Sequence, residues 1–473
     1  MQNRKAIVWF RQDLRLHDNE ALSEAINSAD EVYPVYVFDV RSMEGTSPYG
    51  FRKTGKFRLK FLIESIHDLR QSLSEKGLKL IVRVGIPEDV IFELANELKT
   101  SWVFCNRERT TEELYVQDQL ERKLWTIGQE VRYSRGKMLF YTADLPFPVT
   151  HTPDSFATFR KEVERFTNIR KTIICDFEDV VASTESIDAG IIPKLSDFGY
   201  QDDFEAFLKG GETAGLARLQ HYLWESDRVV SYKNTRNGSL GLDYSSKFSA
   251  YLAQGCLSPK QIYWELKRYE EERTKNESTY WLVFELLWRD FFRLMGKKYE
   301  EKIFLKGGLK DAERDDLTDN MNMFQIWAEG RTGYPFVDAS MRQLNATGFM
   351  SNRGRQNVAS FLINDLRVNW QIGAEYFESL LIDYDPCSNW CNWNYIAGVG
   401  NDPRDNRYFN TILQSKKYDA EGSFIKAWCP GLKKLPTSLI HYPAASSDEE
   451  LLKYDIILGR DYPKPVLKSE QLA

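Results

Sequence analysis

Cysteine and histidine are scarce in this sequence, with six Cys and five His among 473 residues. The thiols are scattered and outline no disulfide framework. The closest pair, Cys387 and Cys391, has x3 spacing with no histidine nearer than His441, so no metal site is expected. No window reaches about 18 consecutive apolar residues, which excludes a membrane-spanning helix. The start, Met1 to Lys5, runs straight into Ala6–Phe10, a stretch too short for a signal segment and broken by Arg11. The chain is therefore expected in the cytoplasm or another intracellular compartment, with no membrane partner. A basic excess is missing as well: 63 Lys and Arg face 69 Asp and Glu, a net charge of −6, so any nucleic-acid site must be a local patch. No G-x-G-x-x-G follows a strand. Gly50-x4-Gly55-Lys56 has the outline of a phosphate loop, but Phe57 stands where a hydroxyl should meet magnesium. What is plentiful is aromatic: 12 Trp, 24 Tyr and 28 Phe, with the Trp clustered after residue 220. Core packing can use such rings, and so can a planar ligand or a stacking surface.

The first third alternates apolar runs with amphipathic stretches. Ile7–Phe10, Tyr33–Phe38, Leu80–Val84, Trp102–Cys105 and Glu130–Tyr133 read as buried strands, and 18–28, 52–75, 87–98 and 110–127 as helices, with Pro87 at a first helical position. The expected fold is an α/β N-terminal domain with a parallel five-stranded, Rossmann-like sheet over 1–135. A connecting segment over 136–205, an all-α domain over 206–440 and a peripheral tail over 441–473 follow. Helical stripes are read at 213–230, 258–273, 278–299, 336–347, 355–370 and 373–381.

Three clusters carry chemistry. Tyr244-Ser245-Ser246-Lys247-Phe248-Ser249 stands just before a helix ending near Gly255, and Tyr232 to Gly238 precedes it. Its hydroxyls and backbone N–H groups suit a diphosphate, while an ordinary Ser N-cap is the plainer reading. Glu285, Trp288, Arg289 and Phe292 fall at i, i+3, i+4 and i+7, so a carboxylate, an indole and a guanidinium share one helix face. They either line a polar cavity or form an internal Glu285–Arg289 ion pair. Asn352, Arg355 and Gln356 repeat the arrangement. Asp383 and Asp385, followed by Asn389, Trp390, Trp393 and Tyr395, make a third patch.

Trp9-Phe10-Arg11-x-Asp13-Leu14-Arg15, the stretch 232–259, Trp288-Arg289-Asp290-Phe291-Phe292 and 331–355 together resemble the photolyase/cryptochrome family. Tyr244 to Phe248 with Gly255-Cys256-Leu257-Ser258-Pro259, Gln356 and Trp393-Asn394-Tyr395 resemble its cryptochrome DASH branch. The resemblance covers about residues 5–435. It implies an α/β antenna domain followed by a helical domain that holds FAD. It places Tyr232 and Ser245, Ser246, Lys247, Phe248 and Ser249 at the FAD phosphates, with Arg289 beside them. Asp383 and Asp385 would take the ribityl and isoalloxazine side, Asn389 the flavin N5, and Arg355 would pair with Asp383. Glu285, Trp288, Asn352, Gln356 and Tyr395 become the pocket for a flipped pyrimidine dimer.

Trp393 and Trp370 would occupy the two inner places of the family's tryptophan electron chain. The third place falls on Leu317, a departure that asks for another outlet such as Trp327. Glu108 is the candidate contact of a folate antenna, 5,10-methenyltetrahydrofolate. The function implied is light-driven repair of cyclobutane pyrimidine dimers, chiefly in single-stranded DNA, by a monomer. Two rivals are a blue-light signalling cryptochrome using the same flavin site and a dark flavin oxidoreductase, which would need a nicotinamide site that the sequence does not display.

Overall fold

The computed structural model describes residues 4–178, 187–312, 314–402 and 407–467. Five strands, β1 (Lys5–Phe10), β2 (Glu31–Asp39), β3 (Ile81–Gly85), β4 (Trp102–Asn106) and β5 (Glu130–Ser134), form one parallel sheet in the order β3-β2-β1-β4-β5. The inner strands β1, β2 and β4 are almost wholly buried, as in a sheet covered on both faces. The edge strands are not the buried runs expected: β5, with Glu130 and Arg132, is largely half-exposed, and β3 exposes Val84 at its end. Ile7 pairs with Tyr33 on one side and Val103 on the other, and all three are buried in a core with Ile91, Leu94 and Leu120. Helix starts follow local chemistry: Pro87 opens Pro87–Leu98, and a Thr110/Glu113 capping box opens Thr111–Trp125. Strand order reverses between β1 and β4, so the loops after them, carrying Arg11 to Asp13 and Arg107 to Arg109, stand at the switch point of the sheet.

The chain divides into two compact units. One is Met1–Val230 with Lys247–Glu301 and Ile382–Ser388; the other is Ser231–Ser246 with Lys302–Leu381 and Asn389–Ala473. The first holds the sheet and the helices Phe156–Phe166, Glu212–Gln220, Phe248–Gln254, Pro259–Glu272 and Glu277–Tyr299. The second is helical, with Met321–Ala328, Pro335–Thr347, Asn352–Ser360, Trp370–Leu380 and Thr411–Tyr418 among its elements. The α/β sheet followed by a helical body is the fold expected from the sequence.

Four further details differ from expectation. The stripe at 213–230 is not one helix: after Gln220 a π-helical turn spans His221–Glu225, the Ser226 hydroxyl donates back to the His221 carbonyl (2.8 Å), and Asp227 turns left-handed at φ 52°. The stripe at 355–370 breaks in the same way. A π-helical turn spans Phe361–Asp365, Arg367 is left-handed, and Asn369 caps a new helix by accepting from the Gln371 N–H (3.1 Å). Part of the expected connecting segment is the helix Phe156–Phe166, which buries Phe156, Phe159 and Val163. The stretch 441–467 is not a loose tail. Leu451, Ile456 and Tyr462 share a core with Phe336, Phe424 and Leu432, the Tyr462 hydroxyl donates to buried Asp338, and the Val466 N–H reaches the Thr332 carbonyl (3.0 Å). The charged residues, five acids and three bases over 441–467, hid the few apolar residues that anchor this stretch. Residues 468–473 lie outside the described residues.

Candidate functional site

Helix Glu277–Tyr299 is capped by Asn276, whose side-chain oxygen accepts from the N–H groups of Ser278 (2.8 Å) and Thr279 (3.0 Å). One of its faces brings Glu285, Trp288 and Arg289 together as the spacing requires. Glu285 and Trp288 are half-buried. The Trp288 ring lies flat on Phe156, centroids 3.7 Å apart and planes at 10°, and meets Phe291 and Phe292 at 5.7 and 5.3 Å. Arg289 does not close the alternative ion pair with Glu285; it donates to the carbonyls of Lys137 (2.8 Å) and Leu252 (3.2 Å). Burial and the neighbouring Arg293 hold its guanidinium down to about 10, against the pull of Asp385 and Asp290. Asp290 is structural: it accepts from the N–H groups of Leu139 (3.1 Å) and Phe140 (2.9 Å).

One turn beyond Arg289, Arg293 bridges two buried carboxylates. Its Nη1 donates to Asp385 Oδ2 (3.0 Å) and its Nη2 to Glu108 Oε2 (3.2 Å), while Lys137 holds the other Glu108 oxygen. Burial pushes the Glu108 carboxyl up, and Lys137, Arg293 and Arg11 outweigh it and hold it down to about 2. Burial likewise raises Asp385, and Arg293 with Arg289 brings it below its usual value. Glu108 is 1% exposed, so a pigment reaching its carboxylate must displace Lys137 or Arg293.

The serine-rich loop ends on Lys247, left-handed at φ 62°, and helix Phe248–Gln254 follows without a side-chain cap. The plainer reading of this loop as a Ser N-cap does not hold, because Ser245 and Ser246 precede the cap position and Ser249 lies inside the helix. Ser246 and Lys247 are buried, and Phe248 packs edge-on against Tyr222 at 5.9 Å. The helix stops at Gly255, left-handed at φ 70°, where a Cβ would stand 2.1 Å from the Gln12 carbonyl oxygen. Asp383 and Asp385 are both buried just before helix Pro386–Ala397.

In the second unit Tyr232 is buried at the start of Tyr232–Thr235. Asn389 donates one amide N–H to the Ala374 carbonyl (3.0 Å), which leaves Oδ1 and the second N–H to offer a ligand. Arg355 donates Nε to the Met350 carbonyl (2.9 Å). Helix Asn352–Ser360, capped by the Ser351 hydroxyl, starts on exposed Asn352, and the buried Oε1 of Gln356 accepts no hydrogen bond. The Arg407 guanidinium lies over the Tyr395 ring at 4.7 Å and pairs with Asp402 (3.2 Å). Arg353 binds Asn237 Oδ1 (3.0 Å) and covers Tyr418 at 4.4 Å. Burial lowers Arg353 first, and repulsion from Arg236 and Arg407 adds to it, so the three guanidinium groups form one basic cluster.

Trp393 is buried edge-on to Phe377 (5.1 Å) and Trp327 (6.5 Å) and overlies Gly373, where a Cβ would stand 2.3 Å from its Cη2. Trp370 donates Nε1 to the Lys306 carbonyl (3.2 Å) and meets Trp390 at 5.8 Å. Leu317 is buried, and Trp327, the suggested substitute, is completely so, with Tyr376 beyond it at 6.1 Å.

Comparison with known proteins follows the same division of the chain. The family description "DNA photolyase" matches residues 6–174, and "FAD binding domain of DNA photolyase" matches residues 281–473. A cryptochrome DASH of Synechocystis sp. is 48% identical over 470 residues, covering 98% of this chain and 95% of the relative. This chain belongs to the photolyase/cryptochrome family, in its cryptochrome DASH branch. The crystal structure of Synechocystis sp. PCC6803 cryptochrome superposes with a TM-score of 0.95 at 46% identity, covering 100% of this chain and 98% of that one. An archaeal photolyase from Sulfolobus tokodaii, described as containing two FAD molecules and implying a novel light-harvesting cofactor, gives a TM-score of 0.79 at 29% identity, covering 99% of this chain and 97% of that one.

For a cryptochrome DASH the donor set fits FAD. In the first unit Lys247 and Arg289 suit a diphosphate and the two buried carboxylates suit hydroxyl and N–H donors; in the second the Ser245 and Ser246 hydroxyls suit a phosphate and the Asn389 amide can both accept and donate. No helix among the described residues is long and apolar enough to cross a membrane. Sequence reasoning missed Arg293, Arg236, Arg353 and Arg407. Arg293 was within reach, because it continues the Glu285, Arg289 stripe by one more turn; the other three converge from separate segments.

Proposed function

We propose that the chain repairs cyclobutane pyrimidine dimers under blue light, chiefly in single-stranded DNA, with FAD as the catalytic cofactor and a folate as antenna. The observation that carries this is Trp288. An indole braced flat on Phe156 keeps a fixed platform, and Glu285 stands three residues before it on the same helix face. Tyr232, Ser245, Ser246, Lys247, Phe248, Ser249 and Arg289 would hold the FAD diphosphate end, and Asp383, Asp385, Asn389 and Arg355 the flavin end. Bound FAD would supply a light-excited electron to the dimer and recover it once the two cyclobutane bonds have opened. Glu285 accepts hydrogen bonds from the base edge and steadies the charge gained there. Asn352 and Gln356 line the pocket, and the unmet Oε1 of Gln356 is an acceptor for a base N–H. Arg236, Arg353 and Arg407 offer cations to backbone phosphates, so affinity falls with salt.

Strand preference follows from magnitudes. Extruding a dimer from duplex costs a few kcal/mol of unstacking and unpairing, which a single strand has largely met already. Stacking returns on the order of 1–3 kcal/mol per aromatic contact. Here Tyr395 is a small ring already engaged by Arg407, and Gln356 presents a polar amide where an apolar side chain would bury more surface against the lesion. The test is light-dependent repair of matched single- and double-stranded oligonucleotides at one salt concentration. Repair of single strands with little on intact duplex is expected, together with a partial duplex gain for Tyr395→Trp with Gln356→Met. Equal turnover on both substrates would refute the preference, and no turnover on either would favour the photoreceptor reading.

A further inference from the structure

We propose that Glu108 is a positioning residue for the flavin, acting through Arg293 on Asp385; this rests on the reading above in which Asp385 contacts FAD. The four side chains form one buried chain of alternating charge: Lys137, Glu108, Arg293 and Asp385 are 3, 1, 3 and 6% exposed. The two ends of the planar Arg293 fork hold different carboxylates, so neither can swing without the other. Each carboxylate has its second oxygen fixed, Glu108 by Lys137 and Asp385 by the Ser388 N–H (2.7 Å). Glu108 is anchored to the α/β sheet in turn. Its backbone N–H donates to Gln117 Oε1 (2.8 Å), the same atom that accepts from Arg11 Nη1 (2.7 Å). A continuous hydrogen-bonded path therefore runs from the switch-point loops of the sheet to Asp385, through groups too buried for water to screen.

Removing the Glu108 charge does two things. It lets Arg293 turn both of its ends toward Asp385, weakening that carboxylate as an acceptor, and it leaves one uncompensated positive charge in the cluster. Both favour the reduced, more negative state of a flavin held at Asp385. Removing the Lys137 charge acts with the opposite sign, and removing both restores the balance.

The experiment measures FAD content and the flavin midpoint potential of the purified holoprotein by dye-referenced spectroscopic titration. Wild type is compared with Glu108→Gln, Lys137→Met, the double variant and Asp385→Asn. Glu108→Gln is expected to shift the reduction equilibrium roughly tenfold toward reduced flavin, about 59 mV for one electron. Lys137→Met should shift it the other way, and the double variant should return toward wild type. A merely structural Glu108 would leave the double variant at least as disturbed as either single one, which overturns the proposal. It is also overturned if neither single variant moves the potential while Asp385→Asn does. Asp385→Asn with unchanged FAD content and potential would instead refute the underlying assignment of Asp385. Where Glu108→Gln yields no folded protein, the sign of the Lys137→Met shift decides alone: a fall supports the proposal, and no change overturns it.

Discussion

Replacing Gly373 with alanine tests whether Trp393 is held as tightly as its surroundings indicate. The added methyl would stand 2.3 Å from Trp393 Cη2, 2.7 Å from its Cζ3 and 2.7 Å from Leu362 Cδ2. Carbon atoms prefer about 3.5–4.0 Å, so the indole must retreat by about 1.3 Å. It has little room, being 3% exposed and boxed in by Phe377 and Trp327. Overpacking of this kind costs about 1–3 kcal/mol. Alanine recovers about 1 kcal/mol of helix propensity within Trp370–Leu380, and a tightly boxed ring argues for the upper part of the overpacking range. The expected net is a destabilisation of about 1–2 kcal/mol, read as a fall of a few degrees in the temperature of flavin release. Slower thiol-driven photoreduction should accompany it, because the displaced ring is one of the two expected at the inner places of the electron chain. In a Trp393→Phe background the smaller ring leaves space, and Gly373→Ala should become neutral or stabilising. A single variant more stable than wild type, or an unchanged cost in the Trp393→Phe background, would refute the reasoning.

Three further outcomes are expected. Arg289→Ala should lower FAD retention on purification, since a charge-assisted hydrogen bond contributes about 1.5–3 kcal/mol; a fully loaded variant counts against a phosphate role. Leu317→Trp should speed photoreduction by external thiol at a stability cost of about 1–3 kcal/mol, because the site is 7% exposed; an unchanged rate, with Trp370→Phe abolishing the reaction, places the outlet elsewhere. Asp365 has one buried oxygen without a partner, and burial pushes its carboxyl from 3.8 up to about 6. With a folded value above the unfolded one, its ionisation removes stability as pH rises from about 4 to 6, so Asp365→Asn should stabilise the protein at pH 8 by on the order of 2 kcal/mol and flatten that part of the pH profile in chemical denaturation.

Local rules made the sheet legible: five short strand-forming runs, Pro87 opening a helix and Gly255 closing one were all readable because each is decided by neighbours a few residues away. The two helix breaks were not, because left-handed Asp227 and Arg367 interrupt stripes whose apolar period continues past them. Asp227 is fixed by Tyr269 and Arg273 from another helix, which no window around it contains. The same limit explains the hidden part of the site. Lys137 and Arg293 reach Glu108 across 29 and 185 residues, Asp385 reaches Arg293 across 92, and only the fold brings them together. Helix spacing, by contrast, was enough to put Glu285, Trp288 and Arg289 on one face.

Charge balance gives that face its meaning. Lys137, Arg109 and Arg293 are buried and Arg289 is half-buried, and Glu108, Asp290, Asp383 and Asp385 are the buried carboxylates of the same unit's site residues. Lys137 and Arg293 have carboxylate partners. Among the described residues Arg109 contacts the Met138 sulfur and Arg289 two carbonyls, and burial, assisted by Arg293, holds both down to about 10. A buried cation without an anion is costly, and well-packed apolar residues would serve stability better. An anionic group bound beside Arg289 removes that cost, and a diphosphate is such a group. The lack of a direct carboxylate partner therefore argues for the proposed FAD role of Arg289 independently of any family resemblance.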